Sequence, residues 1–140
     1  MRKSIIVLLT VAALALPIVD ASAAATKVAT RKIVVTKRFT GSLASVQQWG
    51  SLQVTIVVRK TTTITGTKKK VTRKLTAVSV PISPNHTDRS VYINSNALPI
   101  LKSEALKAQS ANINMVSGAT DSSDAFAQSL QSAILKAKHA

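Results

Sequence analysis

The chain contains no cysteine, so neither a disulfide framework nor a lipid-bearing cysteine belongs to it. Acids are nearly as scarce: five Asp and Glu stand against nineteen Lys and Arg, for a net charge of +14. Of the two histidines, His86 sits in a polar stretch with no second histidine, cysteine or paired carboxylate at ligand spacing, so the pattern offers no metal centre. No nucleophile accompanied by a base, and no acid pair, can be found along the chain. Aromatic residues make up only 3%. Phe39, Trp49, Tyr92 and Phe126 are therefore the large flat side chains available to stack on a planar ligand.

What is present suits one domain. The sequence has 140 residues, 46% of them hydrophobic, enough for a single packed core. Residues 1–23 read as a secretory signal peptide: Arg2 and Lys3 form its charged region, Ser4 to Val19 its apolar run, and Ala21-Ser22-Ala23 a small-x-small cleavage site. That apolar run is shorter than the ~20 residues that span a bilayer. The mature chain is therefore expected outside the cytoplasm, secreted or in the cell envelope, with residues 24–32 as a flexible lead-in and 33–140 as the domain. Without Arg2, Lys3 and Asp20 the balance is 17 bases against 4 acids, or +13. Five bases fall between Lys27 and Arg38 and seven between Arg59 and Lys74. Such a charge favours anionic partners. Envelope polymers suit it better than a specific nucleic acid, because no aromatics are interleaved with the basic run.

Hydrophobic spacing predicts an α+β fold: an antiparallel sheet with a long hairpin, packed by two helices. A first strand is expected around Ile33 to Thr36, a second over Gly41 to Gln48 and a third over Ser51 to Arg59, where Leu52, Val54, Ile56 and Val58 alternate with other positions. Thr61 to Lys70 reads as a long hairpin tip, and Val71 to Ile82 as the returning strand. Pro81, Pro84, Asn85 and Asp88 mark a loop. Val91 to Ile93 then reads as a short extended piece, and Asn96 as the cap of a helix with Pro99 in its first turn. The last helix is better defined, with Phe126, Leu130, Ala133, Ile134 and Ala137 along one face. Asp121 and Asp124 at its start and Lys136 and Lys138 at its end complement its dipole.

Ahead of that helix lies Ser117-Gly118-Ala119-Thr120, followed by Asp121-Ser122-Ser123. Free backbone N–H groups at a helix start, small side chains and several hydroxyls make an anion site. An ordinary Ser/Thr cap with a glycine turn has the same composition.

The stretch from Ser90 to Ala137 resembles the small FMN-binding domain of exported bacterial proteins, a domain shared with the flavin-carrying subunits of the sodium-pumping NADH:quinone reductase and the Rnf complex. The matching residues are Ile93-Asn94, Ala97-Leu98-Pro99, Glu104-Ala105-Leu106, Ala108-Gln109-Ser110-Ala111, Val116-Ser117-Gly118-Ala119-Thr120 with Ser122-Ser123, and Ser129-Leu130-Gln131-Ser132-Ala133. The resemblance implies FMN as cofactor, its phosphate at Ser117-Gly118-Ala119-Thr120. Gly118 and Ala119 would offer N–H groups, Thr120 a phosphoester or a hydrogen bond, and Ser117, Ser122 and Ser123 further donors. Leu98 and Pro99 would wall the ring with Asn96 donating to it, and Trp49 is the stacking candidate. In such proteins a separate flavin transferase, using FAD and magnesium, can esterify the threonine. The motif it reads begins with an aspartate where this chain has Asn114, and Asp121 adds a carboxylate beside the phosphate position.

These residues imply an extracytoplasmic electron carrier that exchanges electrons with a partner redox protein and need not have a substrate of its own. The competing reading is a basic module that binds envelope polymers or nucleic acid through its charge and retains a degenerate flavin site.

Overall fold

A computed structural model describes residues 28–140. The signal-peptide reading and most of the lead-in lie outside the described residues. The domain is α+β: four antiparallel strands, β1 (Thr30–Thr40), β2 (Ala44–Ser45), β3 (Ser51–Thr65) and β4 (Lys68–Ile82), followed by α1 (Asp88–Ala108) and α2 (Thr120–Lys138). β3 is the central strand. β1 and then β2 pair along one of its edges, and β4 pairs along the other.

The alternation in β3 places Leu52, Val54 and Ile56 at 0% exposure, facing the helices. Against them pack Leu98, Leu101 and Ala105 of α1 and Phe126, Leu130, Ala133 and Ala137 of α2, in one core. Ala108, the last residue of α1, is exposed.

Two polar clamps fix the layers. Ser129 of α2 accepts the Val54 N–H at 2.8 Å and donates to the Ser42 carbonyl at 2.7 Å. Gly41 is buried beneath it, and a Cβ there would collide with the Ser129 carbonyl. Only glycine lets α2 approach the link between β1 and β2 so closely. At the other edge Gln109, in the left-handed conformation at φ 52°, donates to the Leu75 carbonyl at 3.0 Å and accepts the Leu75 N–H at 2.7 Å. This side chain ties the end of α1 to β4 beside the register shift between Val57 and Val58.

Several boundaries differ from the sequence expectation. β1 begins at Thr30 and runs through Thr40, because every residue of it finds a partner on β3. The segment 41–48 contributes only the two residues of β2, then a 3-10 turn at Gln47–Trp49. The long hairpin tip is a tight turn at Gly66, φ 59°, since the β-branched run Thr61–Thr65 pairs with Lys68–Thr72 rather than looping. The piece 91–93 is helical: α1 starts at Asp88, capped by Thr87, so Asn96 is not its cap and Pro99 lies mid-helix. Ser95 and Asn96 instead donate their side chains to the Tyr92 carbonyl, at 2.9 and 2.7 Å. Such back-bonding is what Ser and Asn do inside a helix, here one turn before the proline that cannot donate.

Candidate functional site

The two helices begin differently. At α1 the cap residue Thr87 has φ −131° and ψ 149°, and its hydroxyl oxygen accepts the Ser90 N–H at 3.1 Å. At α2 the cap position is Ala119, with φ −133° and ψ 39°, and no side chain caps the helix. The first helical bond runs from Ser123 N–H to the Ala119 carbonyl at 2.9 Å. The N–H groups of Thr120, Asp121 and Ser122 therefore have no acceptor within their own helix. Gly118 precedes them at φ 80°, and a Cβ built on it would meet nothing within 4 Å. The backbone here is open to an approaching anion, at the positive end of the helix dipole.

The start of α1 faces the start of α2 across a cleft of about 120 Å³. Val46, Trp49, Pro84 and Ile93 supply its apolar walls; Arg89 and Ser90 enter from α1, and Gly118, Asp121 and Ser122 from α2. Buried Asn94 links these parts: its amide donates to the Pro84 carbonyl at 2.7 Å, and its carbonyl oxygen accepts from the Ser122 hydroxyl at 3.2 Å. On the far side of the Pro84–Asn94 link lies a second cleft of about 330 Å³, which includes Val91, Leu98, Pro99 and Lys102.

The sequence-derived site residues thus separate into groups. Trp49, half-buried, lines the first cleft with Gly118 and Ser122, while Leu98 and Pro99 line the second. Asn96 is exposed on α1 and borders neither cleft. Ser117 and Thr120 are exposed at the turn. Two donor roles are reassigned by the hydrogen bonding. The Ala119 N–H is engaged by the Val116 carbonyl at 3.0 Å. The Ser123 hydroxyl, 1% exposed, donates to the Ala119 carbonyl at 2.8 Å and accepts the Val116 N–H at 3.1 Å, so it braces the turn from within. Asn114 accepts a different role from that of a motif acid: its amide donates to Glu104 at 3.2 Å.

Arg89, Ser90, Ile93 and Asn94 of the cleft were not among the residues expected there. Arg89 stands in a stretch that reads as loop, and its place in the first turn of α1 emerges only when Thr87 is recognised as the cap.

A model of the FMN-binding domain family matches residues 48–135. The match spans more than half of the chain and includes α1, most of α2 and every lining residue of the first cleft except Val46, and the chain belongs to that family. Its cofactor is FMN. No curated protein matches the sequence. The residues present fit the group: three open N–H groups, an unobstructed Gly118 and the Arg89 guanidinium suit a phosphate dianion, and the apolar walls beside Trp49 suit the ring system. Pockets that bury ligands of this size measure roughly 300–1,000 Å³, so the first cleft has room for only part of such a ligand.

Proposed function

We propose that this protein is an exported flavin-carrying electron-transfer protein, with the FMN phosphate held at the start of α2 and Thr120 as its attachment point. The observation that carries this reading is the uncapped start of α2, inside the matched segment and beside an arginine. When bound, FMN supplies one- and two-electron chemistry. The chain's residues hold and orient it. The N–H groups of Thr120, Asp121 and Ser122 bind phosphate oxygens, and Arg89 offsets both the phosphate charge and that of Asp121. Gly118 admits the group, and Trp49, Val46 and Ile93 exclude water from the ring.

Thr120 is exposed at the first helical position, where its hydroxyl can be reached by a transferase. Esterification joins its oxygen to the FMN phosphorus of FAD, releases AMP and gives up the hydroxyl proton. The signal-like residues 1–23 and the charge of +14 support a place outside the cytoplasm beside anionic polymers, and the electron donor and acceptor are then redox proteins that meet the flavin end.

The test is co-expression with a flavin transferase, followed by acid precipitation. Flavin stays with the parent polypeptide, and Thr120→Ala releases all of it. Noncovalent binding then persists in that variant, weakened by about 1.5–3 kcal/mol for one hydrogen bond to a charged group. A full covalent complement of FMN in Thr120→Ala would remove the attachment from this residue.

A further inference from the structure

Beyond the ends of the helices the sheet continues alone. Lys60 Nζ reaches the Ala140 carbonyl at 3.3 Å, which marks where the cover of α2 stops, while β3 runs on to Thr65 and β4 returns from Lys68. β3 has 15 residues, and at roughly 3.3 Å per residue the Gly66 turn lies about 45 Å from the flavin cleft.

Charge is divided in the same way. β1 carries four Lys and Arg, β3 two and β4 five, with no acid in any of them. The acids of the described residues, Asp88, Glu104, Asp121 and Asp124, all lie in the helices.

The two faces of this free sheet are unlike. On the face that continues the core, directly opposed residues form the rows Val35–Lys60–Arg73, Ile33–Thr62–Val71 and Arg31–Ile64–Lys69. Here Ile33, Val35 and Val71 are exposed by 38%, 41% and 37%. A hollow of about 220 Å³ at the helix end has Val35, Phe39 and Val58 in its floor and Lys37, Lys60 and Arg73 around it. The reverse face has the rows Lys32–Thr63–Lys70, Val34–Thr61–Thr72 and Thr36–Arg59–Lys74. It is hydroxyl and cation with a single aliphatic.

We propose that the face bearing Ile33, Val35, Val71, Lys37, Lys60 and Arg73 docks on an anionic lipid bilayer. Its cations meet headgroup phosphates, and its aliphatic side chains enter the interfacial layer. A phosphate-rich polymer would engage the cations of either face alike and would gain nothing from aliphatic groups on one of them. A bilayer surface matches the combination of cations and aliphatics on a single face with no acid among them. No helix among the described residues is long and apolar enough to cross a membrane, so this contact is peripheral. Docked this way, the sheet end holds the protein, and because the docking residues lie across from Val58 to Thr62 of β3, the cleft between the helix starts is left roughly 25–35 Å away along the strand direction, by the same rise of roughly 3.3 Å per residue. The inference does not depend on how the flavin is attached.

The experiment is cosedimentation of the full chain with phosphatidylcholine vesicles, with and without phosphatidylglycerol. Subtracting the neutral vesicles removes whatever the apolar run at 4–19 contributes by itself. Three variants are compared: Lys37→Gln/Lys60→Gln/Arg73→Gln on the docking face, Lys32→Gln/Arg59→Gln/Lys74→Gln on the reverse face, and Val35→Thr/Val71→Thr. All sites are strand positions at or near the surface, and unchanged flavin content verifies that each variant folds. The first variant loses roughly 100-fold of the phosphatidylglycerol-dependent binding, as expected for three cations at an anionic surface. The reverse-face variant, with the same loss of charge, keeps most of it, and the Val-to-Thr pair loses several-fold. Equal losses from the two charge variants would overturn the assignment of the face. Binding that ignores phosphatidylglycerol, or tighter binding to soluble polyphosphate that the Val-to-Thr pair leaves unaltered, would overturn the bilayer as the partner.

Discussion

The starts of α1 and α2 face one cleft and are built to opposite ends. Both have hydroxyl residues nearby and an aspartate in the first turn. Thr87, in extended backbone, closes α1 by accepting the Ser90 N–H, and the two hydroxyls lie 2.8 Å apart. Ala119 has nearly the same φ but a different ψ and no side-chain oxygen, and the hydroxyls of Ser122 and Ser123 face inward to Asn94 and to the Ala119 carbonyl. One helix start satisfies itself, and the other is braced from beneath while its N–H groups point outward. The difference lies in which residue occupies the cap, not in how many hydroxyls surround it.

The contrast can be broken most severely at Gly118. Gly118→Val puts a β-branched residue at φ 80°, a conformation that costs roughly 1–2 kcal/mol for a residue with a Cβ, and places its methyls where the phosphate arrives. FMN content falls more than tenfold by about the same logic of blocked approach and strain, read as absorbance of the purified protein. Flavin content equal to the parent's would show that Gly118 does not face the cofactor.

Next in size is Ser123→Ala, which removes the brace. The Val116 N–H and the Ala119 carbonyl lose their partner, at about 1–3 kcal/mol, measured as a lower denaturant midpoint in the flavin-free protein. A neutral outcome would mean that the turn is held by other contacts.

The smallest effect belongs to the closed helix start. Thr87→Ala costs about 1 kcal/mol, and flavin content stays at the parent level because this cap does not serve the ligand. Flavin loss without loss of stability would reverse the roles of the two starts.

Much of this was legible in the sequence. The alternation of Leu52, Val54, Ile56 and Val58 and the 3.6-residue spacing of α2 identify the core strand and its covering helix, because both bury one continuous face. The turn at Ser117 to Thr120 could be placed at a helix start for the same reason. What was hidden depended on partners far away in sequence. Thr61–Thr65 and Lys68–Lys70 resemble a loop by composition and become strand because β-branched threonines pair across them. Pro99 resembles a first-turn residue, yet α1 begins 11 residues earlier at Asp88, with Asn94 anchoring it to Pro84 and Ser122. Arg89 could be assigned to the cleft only once that earlier start was known. The inward use of Ser123 and Ser122 is likewise tertiary: a hydroxyl reads as a ligand donor until its own acceptor is located.

The central claim is that the flavin phosphate occupies the open start of α2 and leaves the closed start of α1 as it is. Amide hydrogen exchange, resolved by residue in flavin-free and flavin-loaded protein, tests it most directly. Loading should slow exchange at Thr120, Asp121 and Ser122, whose N–H groups lack helical acceptors, and leave Ser90, already bonded to Thr87, unchanged. Unaltered exchange at 120–122 in fully loaded protein, or slowing confined to the first turn of α1, would contradict it.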